Sequence, residues 1–173
     1  MLHFHKKNYK IGLDIDDVCA KFLEGYTKFT DGKYADFKHF YFSYQTNHIL
    51  PTVPDEFWLN LEPKFDPLTL PFLPTCYVST RSFDKSLTEQ WLEKNNFPCM
   101  PVIHTNHGSK IDACRKMNVN VFVDDFLKNF EELNAAGIET FLMDCTHNQQ
   151  YNVGTHRIYT LNEVPAKIIE LGI

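Results

Sequence analysis

Glycine is scarce, seven in 173 residues, and no stretch of the chain is apolar over membrane-spanning length. The composition excludes a collagen-like repeat, and the missing run of about eighteen apolar residues excludes a membrane helix. The opening Met1-Leu2-His3-Phe4-His5-Lys6-Lys7 also lacks the apolar stretch of a signal peptide, which points to a cytoplasmic protein without membrane partners. His3 and His5 have no third ligand nearby in sequence and read as part of a frayed terminus rather than a metal pair. The five cysteines, Cys19, Cys76, Cys99, Cys114 and Cys145, are scattered, odd in number and free of any Cys-x-x-Cys pair. They read as reduced core thiols rather than as a disulfide framework or a zinc knuckle. Excess basic charge is missing as well: 17 Lys and Arg against 22 Asp and Glu leave a net charge of −5. No global field therefore favours a nucleic-acid polymer, and any bound phosphate must meet locally placed cations.

What is present is an ordinary globular composition, 43% apolar and 23% charged. The length suits one domain with room for a small insertion. Ile11-Gly12-Leu13-Asp14-Ile15 has the pattern of a buried strand ending in acids. From Cys19 to Phe65 aromatics crowd the chain, with helical spacing in Phe22, Tyr26 and Phe29, and this stretch reads as a compact, partly helical insertion. Pro67, Pro71 and Pro74 then exclude a long helix, because each removes a backbone donor and restricts the residue before it. Beyond them strands are predicted at 76–79, 101–104, 119–123 and 138–143, and helices at 84–95, 110–117, 126–136 and 163–171. This alternation predicts an α/β fold, a parallel sheet covered on both faces, with ligands outside the carboxyl ends of the strands.

Asp14-Ile15-Asp16-Asp17 and Asp124-Asp125 fall at two such ends. Like charges gathered together raise one another's pKa unless a cation sits among them, so a hard divalent ion with oxygen ligands, magnesium, is the economical reading. The competing reading is helix capping, by Asp16 or Asp17 at Val18 and by Asp124 or Asp125 at Phe126. Ser79 closes a third strand, where a serine often serves only a turn, and Lys110 opens a helix, where a lysine is often only solvated. Arg81 suits a second anionic or planar substrate group and a surface salt bridge equally well.

The order Asp14-Ile15-Asp16, Ser79, Lys110, Asp124-Asp125 resembles the four signature motifs of the haloacid-dehalogenase-like phosphatase superfamily. That resemblance implies a Rossmann-like three-layer α/β/α core over 1–18 and 66–173, with 19–65 as a small cap after the first strand. Segments 57–63 and 142–148, followed by Arg157-Ile158, are similar to 5'(3')-deoxyribonucleotidase-type members. This chain departs from them in its short, proline-broken run before Ser79 and in only partly echoing their turn after the last strand, at His147-Asn148.

The resemblance implies Asp14 as the nucleophile that forms an aspartyl-phosphate and Asp16 as the acid and base. It implies Mg2+ held by Asp14, the Asp16 carbonyl and Asp124 or Asp125, with Asp124 favoured and Asp125 orienting a water or the lysine. Ser79, Thr80, Arg81 and Lys110 become substrate-binding residues, and the substrate a small phosphorylated metabolite, a (deoxy)nucleoside monophosphate first. Sugar phosphates, other metabolites or polynucleotide ends are the alternative substrates, and a non-catalytic binding module of the same fold is the rival of another class. Phe22, Tyr26, Tyr44 and Trp58 suit base stacking, but a subdomain this small needs such rings for its own core. His39, His48, His104, His107, His147 and His156 show no metal-ligand spacing with a cysteine or glutamate, and only His147, with Asn148, is placed to line the site mouth.

Overall fold

The computed structural model describes residues 9–32 and 53–173. His3, His5, His39, His48 and Tyr44 therefore lie outside the described residues, as does the middle of the predicted cap. Six parallel strands form one sheet: β1 (Ile11–Leu13), β2 (Cys76–Ser79), β3 (Val102–His104), β4 (Val121–Asp124), β5 (Glu139–Met143) and β6 (Arg157–Ile158). Their spatial order is β3-β2-β1-β4-β5-β6. The chain thus builds outward from β1 to β3 and returns to lay β4 on the other side of β1. The strand order reverses between β1 and β4, and at such a switch point the flanking loops part to leave a crevice at the carboxyl ends.

Period-two alternation divides the core into two layers. Leu13, Tyr77, Val121, Val123, Phe141 and Met143 face one way, and Cys76, Val78 and Phe122 the other. The first face is covered by α1 (Phe22–Phe29), α2 (Asp55–Leu59), α3 (Lys85–Lys94) and α6 (Val164–Leu171) through Tyr26, Trp58, Trp91 and Ile168. The second is covered by α4 (Ile111–Lys116) and α5 (Leu127–Ala135) through Cys114 and Leu133. This is the expected three-layer α/β/α arrangement.

Several predicted boundaries shift for local reasons. The first strand stops at Leu13 because the Asp14 carboxylate takes the Ile15 amide at 2.7 Å and the Ile15 carbonyl turns back to the Cys19 and Ala20 amides. The fourth starts at Val121 rather than Val119, because the Val119 amide closes the end of α4 on the Cys114 carbonyl after Asn118 adopts a φ of 53°. The proline run forms only the short 3₁₀ turn Pro67–Thr69, its Asp66 side chain accepting the Leu68 amide. The two-residue β6 is too short to leave a periodic signal. In the aromatic stretch, Phe22 stacks on Tyr26 and on Trp58 with centroids 5.8 and 5.7 Å apart, so these rings do serve packing. Trp91 of α3 donates its indole N–H to the Leu61 carbonyl at 2.8 Å, tying residues after α2 to the sheet's helical cover. Among the described residues, no helix is long and apolar enough to cross a membrane.

Candidate active site

The strand ends at the switch point carry acids. Asp14 follows β1 and continues the ladder, its amide donating to the Val123 carbonyl at 3.0 Å, so the two acidic strand ends are held side by side. Carboxylate oxygens of Asp14, Asp124 and Asp125 all lie within 4.8 Å of one another, and all three residues are buried. Lys110, which precedes α4, reaches into the group: its Nζ lies 2.8 Å from Asp14 Oδ2 and 2.7 Å from Asp124 Oδ2. With only 2% of its surface exposed, Lys110 is not a solvated lysine at a helix start.

Three neighbouring carboxyls, two of them paired to one ammonium, cannot all ionise cheaply away from water. Burial, with the neighbouring acids, holds the Asp14 and Asp124 carboxyls above the usual carboxylate range against the pull of Lys110. Burial works to strip the Lys110 proton, but Asp124 and Asp14 outweigh it and its pKa is raised. All the donors facing one another here are hard oxygens. A compact dication would replace the missing positive charge, so the set fits magnesium on the chemistry of its ligands.

Asp124 is already well occupied. Its Oδ1 accepts from the Phe126 amide at 2.9 Å and Asn129 Nδ2 at 3.1 Å, and its Oδ2 from Lys110 and from Asn129 at 3.2 Å. It therefore takes the capping role left open between Asp124 and Asp125, and it holds the lysine, which the resemblance assigns, with a water as the other choice, to Asp125. Asp125 instead points its Oδ2 at His147 Nε2, 3.0 Å away, and its backbone carbonyl accepts from Asn148 Nδ2 at 2.7 Å. Asp17 likewise serves as a cap, its Oδ1 accepting the Leu23 amide in the first turn of α1 at 3.1 Å. Its Oδ2 is buried without a hydrogen-bond partner among the described residues, and its backbone lies at a φ of 55°.

Arg81 is not a surface group. It forks onto Asp16, Nε to Oδ2 at 2.9 Å and Nη2 to Oδ1 at 2.6 Å, and its Nη1 donates to Thr88 Oγ1 at 2.8 Å. The guanidinium carbon sits 4.8 Å from the Trp58 ring centre and 5.4 Å from that of Phe83. His104 stands behind, its ring nitrogens 3.0 Å from Thr88 Oγ1 and from the Phe83 carbonyl. Ser79 is buried at the end of β2, its Oγ accepting the Arg81 amide at 3.2 Å; Thr80 is half-buried and its carbonyl accepts the His107 amide at 3.0 Å.

Three further groups make contacts here that the sequence alone does not show. Lys64 extends Nζ to the Asp17 carbonyl at 2.7 Å, to the Asp144 carbonyl at 3.3 Å and to Cys145 Sγ at 3.1 Å. Arg157 braces the loop after β5 through Asp144 Oδ1 and Asn148 Oδ1, each at 2.8 Å. His147, read from the sequence as lining the site mouth with Asn148 but without ligand spacing, gathers with Cys145 and Asp125, one donor atom of each within 4.8 Å of the others. Cys145 and His147 stand two residues apart, a spacing outside the standard zinc patterns, and Asp125 joins them only through the fold.

No family model matches the sequence. A nucleotidase of Clostridium acetobutylicum is 30% identical over 92 residues, which span 51% of this chain and 47% of that protein. The match thus spans about half the length of that curated relative. The crystal structure of the UTR4 protein of Saccharomyces cerevisiae aligns at 12% identity with a TM-score of 0.48, over 88% of this chain and 96% of that one.

Proposed function

We propose that this protein is a magnesium-dependent phosphomonoesterase of the haloacid-dehalogenase-like kind, acting on nucleoside monophosphates. The observation that carries the reading is the gathering of Asp14, Asp124 and Asp125 at the sheet's switch point, with buried Lys110 paired to Asp14 and Asp124. The nucleotidase likeness supports the nucleotide substrate.

In this reading Asp14 attacks phosphorus in line and its carboxylate becomes an aspartyl-phosphate, so that one slow hydrolysis becomes two easier steps. Asp16 gives a proton to the leaving ester oxygen and later takes one from the water that cleaves the acyl phosphate. Arg81, packed over the Trp58 and Phe83 rings, fixes the plane of the Asp16 carboxylate for both transfers. Lys110 steadies Asp14 and faces the charge that develops on the transferring group, while Ser79 and the Thr80 backbone line the strand end beside it. Asp14, Asp125 and the Asp16 carbonyl would hold magnesium, which supplies charge neutralisation between the nucleophile and the phosphate. Asp124, with its oxygens taken up by Lys110, Phe126 and Asn129, keeps the lysine in place. In this reading the insertion over 19–65 takes the role of the cap, and its described helices α1 and α2 pack on the sheet's first face.

Phosphate release from deoxy- and ribonucleoside monophosphates, sugar phosphates and a phosphorylated oligonucleotide tests the reading, each with Mg2+ and with chelator. Turnover should be chelator-sensitive, highest on a nucleoside monophosphate and abolished in Asp14→Asn, whose circular dichroism stays unchanged. Substantial turnover in Asp14→Asn would sink the mechanism, and faster hydrolysis of a sugar phosphate would reassign the substrate.

A further inference from the structure

Sharing Asp125 with the all-oxygen cluster, on the side away from Asp14, is a second group of donors of different chemistry, so that Asp125 would stand between the two sites. Cys145, His147 and Asp125 each present one ligand-type atom, all within 4.8 Å of one another, and the three residues are 9%, 6% and 2% exposed. A thiol, an imidazole and a carboxylate in one buried site make a mixed soft and borderline set. Magnesium discriminates against such a set, whereas zinc and cobalt(II) favour it. We propose that Cys145, His147 and Asp125 form a second divalent-cation site, selective for zinc-type ions over magnesium.

Two features of the surroundings suit that role. The ligands are braced from behind: Asn148 Nδ2 holds the Asp125 carbonyl at 2.7 Å and the Met143 carbonyl at 2.8 Å, and Arg157 in turn holds Asn148 Oδ1 at 2.8 Å. Such outer partners orient ligands and strengthen metal binding. Two of the three ligands lie on the turn that follows β5, not inside a regular element, and its Thr146, Gln149 and Gln150 are exposed. An ion can therefore reach the site by movement of one loop. Burial holds Cys145 as a thiol, and the Lys64 ammonium 3.1 Å from its Sγ has to move aside when an ion binds. When the ion binds, a sulfur–metal bond forms, the thiol proton passes to solvent, and His147 turns a lone pair of one ring nitrogen to the metal. Three protein ligands leave a fourth tetrahedral position to water.

The inference stands on this geometry and not on the phosphatase reading. Cobalt(II) titrated into the chelator-stripped full chain is the probe, because a cobalt–thiolate bond has a near-ultraviolet charge-transfer band that oxygen ligands do not give. The band should appear in the wild type and in Asp14→Asn, survive excess Mg2+, and vanish in Cys145→Ser with the fold checked by circular dichroism. His147→Gln should keep the band but need about tenfold more cobalt or greater. Cys99, the exposed cysteine, is the control, and Cys99→Ser should leave the band unchanged. No band in the wild type, a band that persists in Cys145→Ser, or one that disappears with Cys99 would overturn the site. Should Cys145→Ser not fold, the His147→Gln titration decides, and an unchanged cobalt affinity there overturns it.

Discussion

Lys110 shows how much one side chain can determine. With Lys110→Met, the Asp14 and Asp124 carboxylates lose their ammonium and stay buried, and breaking a buried ion pair on one side costs about 3–5 kcal/mol. Urea denaturation of the chelated variant at neutral pH should register that loss, and the loss should shrink as pH falls toward the carboxylate range, where the acids can protonate. A variant as stable as wild type would mean that the acids were never jointly charged. Arg81 allows a subtler test, because its role is directional. A lysine keeps the charge but cannot form the two-pronged contact with Asp16. Arg81→Lys should lower kcat on the best substrate by about tenfold to a hundredfold, the scale of a small misplacement of a catalytic group, with KM changed much less. An unaltered kcat would remove Arg81 from the positioning role. The residue types at Asp14, Asp16, Ser79, Lys110 and Asp124-Asp125 are legible in sequence, since each follows or precedes an apolar run that can be recognised alone. The partners of Arg81 and Lys64 are not. Arg81 meets Asp16 across 65 residues and Lys64 meets Cys145 across 81, and only chain closure sets those contacts.

Elements place the residues, and one glycine shows how tightly. Gly12 sits in the middle of β1 with its hydrogen facing Phe122 of neighbouring β4; a Cβ there would lie 2.7 and 2.8 Å from ring atoms of Phe122 and 3.2 Å from Val119 Cγ1. The ring fills the space that a side chain on β1 would need, so the two strands that carry the acids depend on this position being bare. Gly12→Ala should cost about 1–3 kcal/mol by overpacking, read as a lower urea midpoint with an unchanged slope. A neutral result would show that Phe122 has room to swing away. Most elements could be read from the sequence because their apolar spacing is regular, as in Leu87, Trp91 and Leu92 of α3. The ends were less legible: Asp14 ends β1 by a side-chain hydrogen bond, and Asn118 ends α4 by a left-handed turn, neither of which alters hydrophobic period. The β6 strand exists through pairing with Leu142 and Met143, a cause that lies outside its own two residues.

At the scale of the whole molecule, acids confined beneath a covered sheet tie stability to pH. Asp17 offers the cleanest measure, since its Oδ1 holds the Leu23 amide, its Oδ2 has no hydrogen-bond partner among the described residues, and burial together with the Asp125 charge pushes its pKa well above the ordinary 3.8. A carboxyl whose native pKa exceeds its unfolded value binds more protons when folded. Its contribution to stability is full below the unfolded value and is lost as pH rises toward the native one. Half-buried His104, whose pKa burial lowers, acts in the opposite sense below its ordinary 6.5, so the wild-type curve alone mixes the two. Comparison with Asp17→Asn separates them: the amide keeps an oxygen for Leu23 but does not titrate, and His104 is common to both proteins. In denaturant titrations with chelator, wild-type stability relative to Asp17→Asn should fall as pH rises from about 4 toward neutrality. A difference that stays flat or grows with pH would mean that Asp17 ionises in the folded protein as readily as in the unfolded one. That outcome would require water or a cation beside its Oδ2, and the region between α1 and the Lys64 contact would then be open rather than dry.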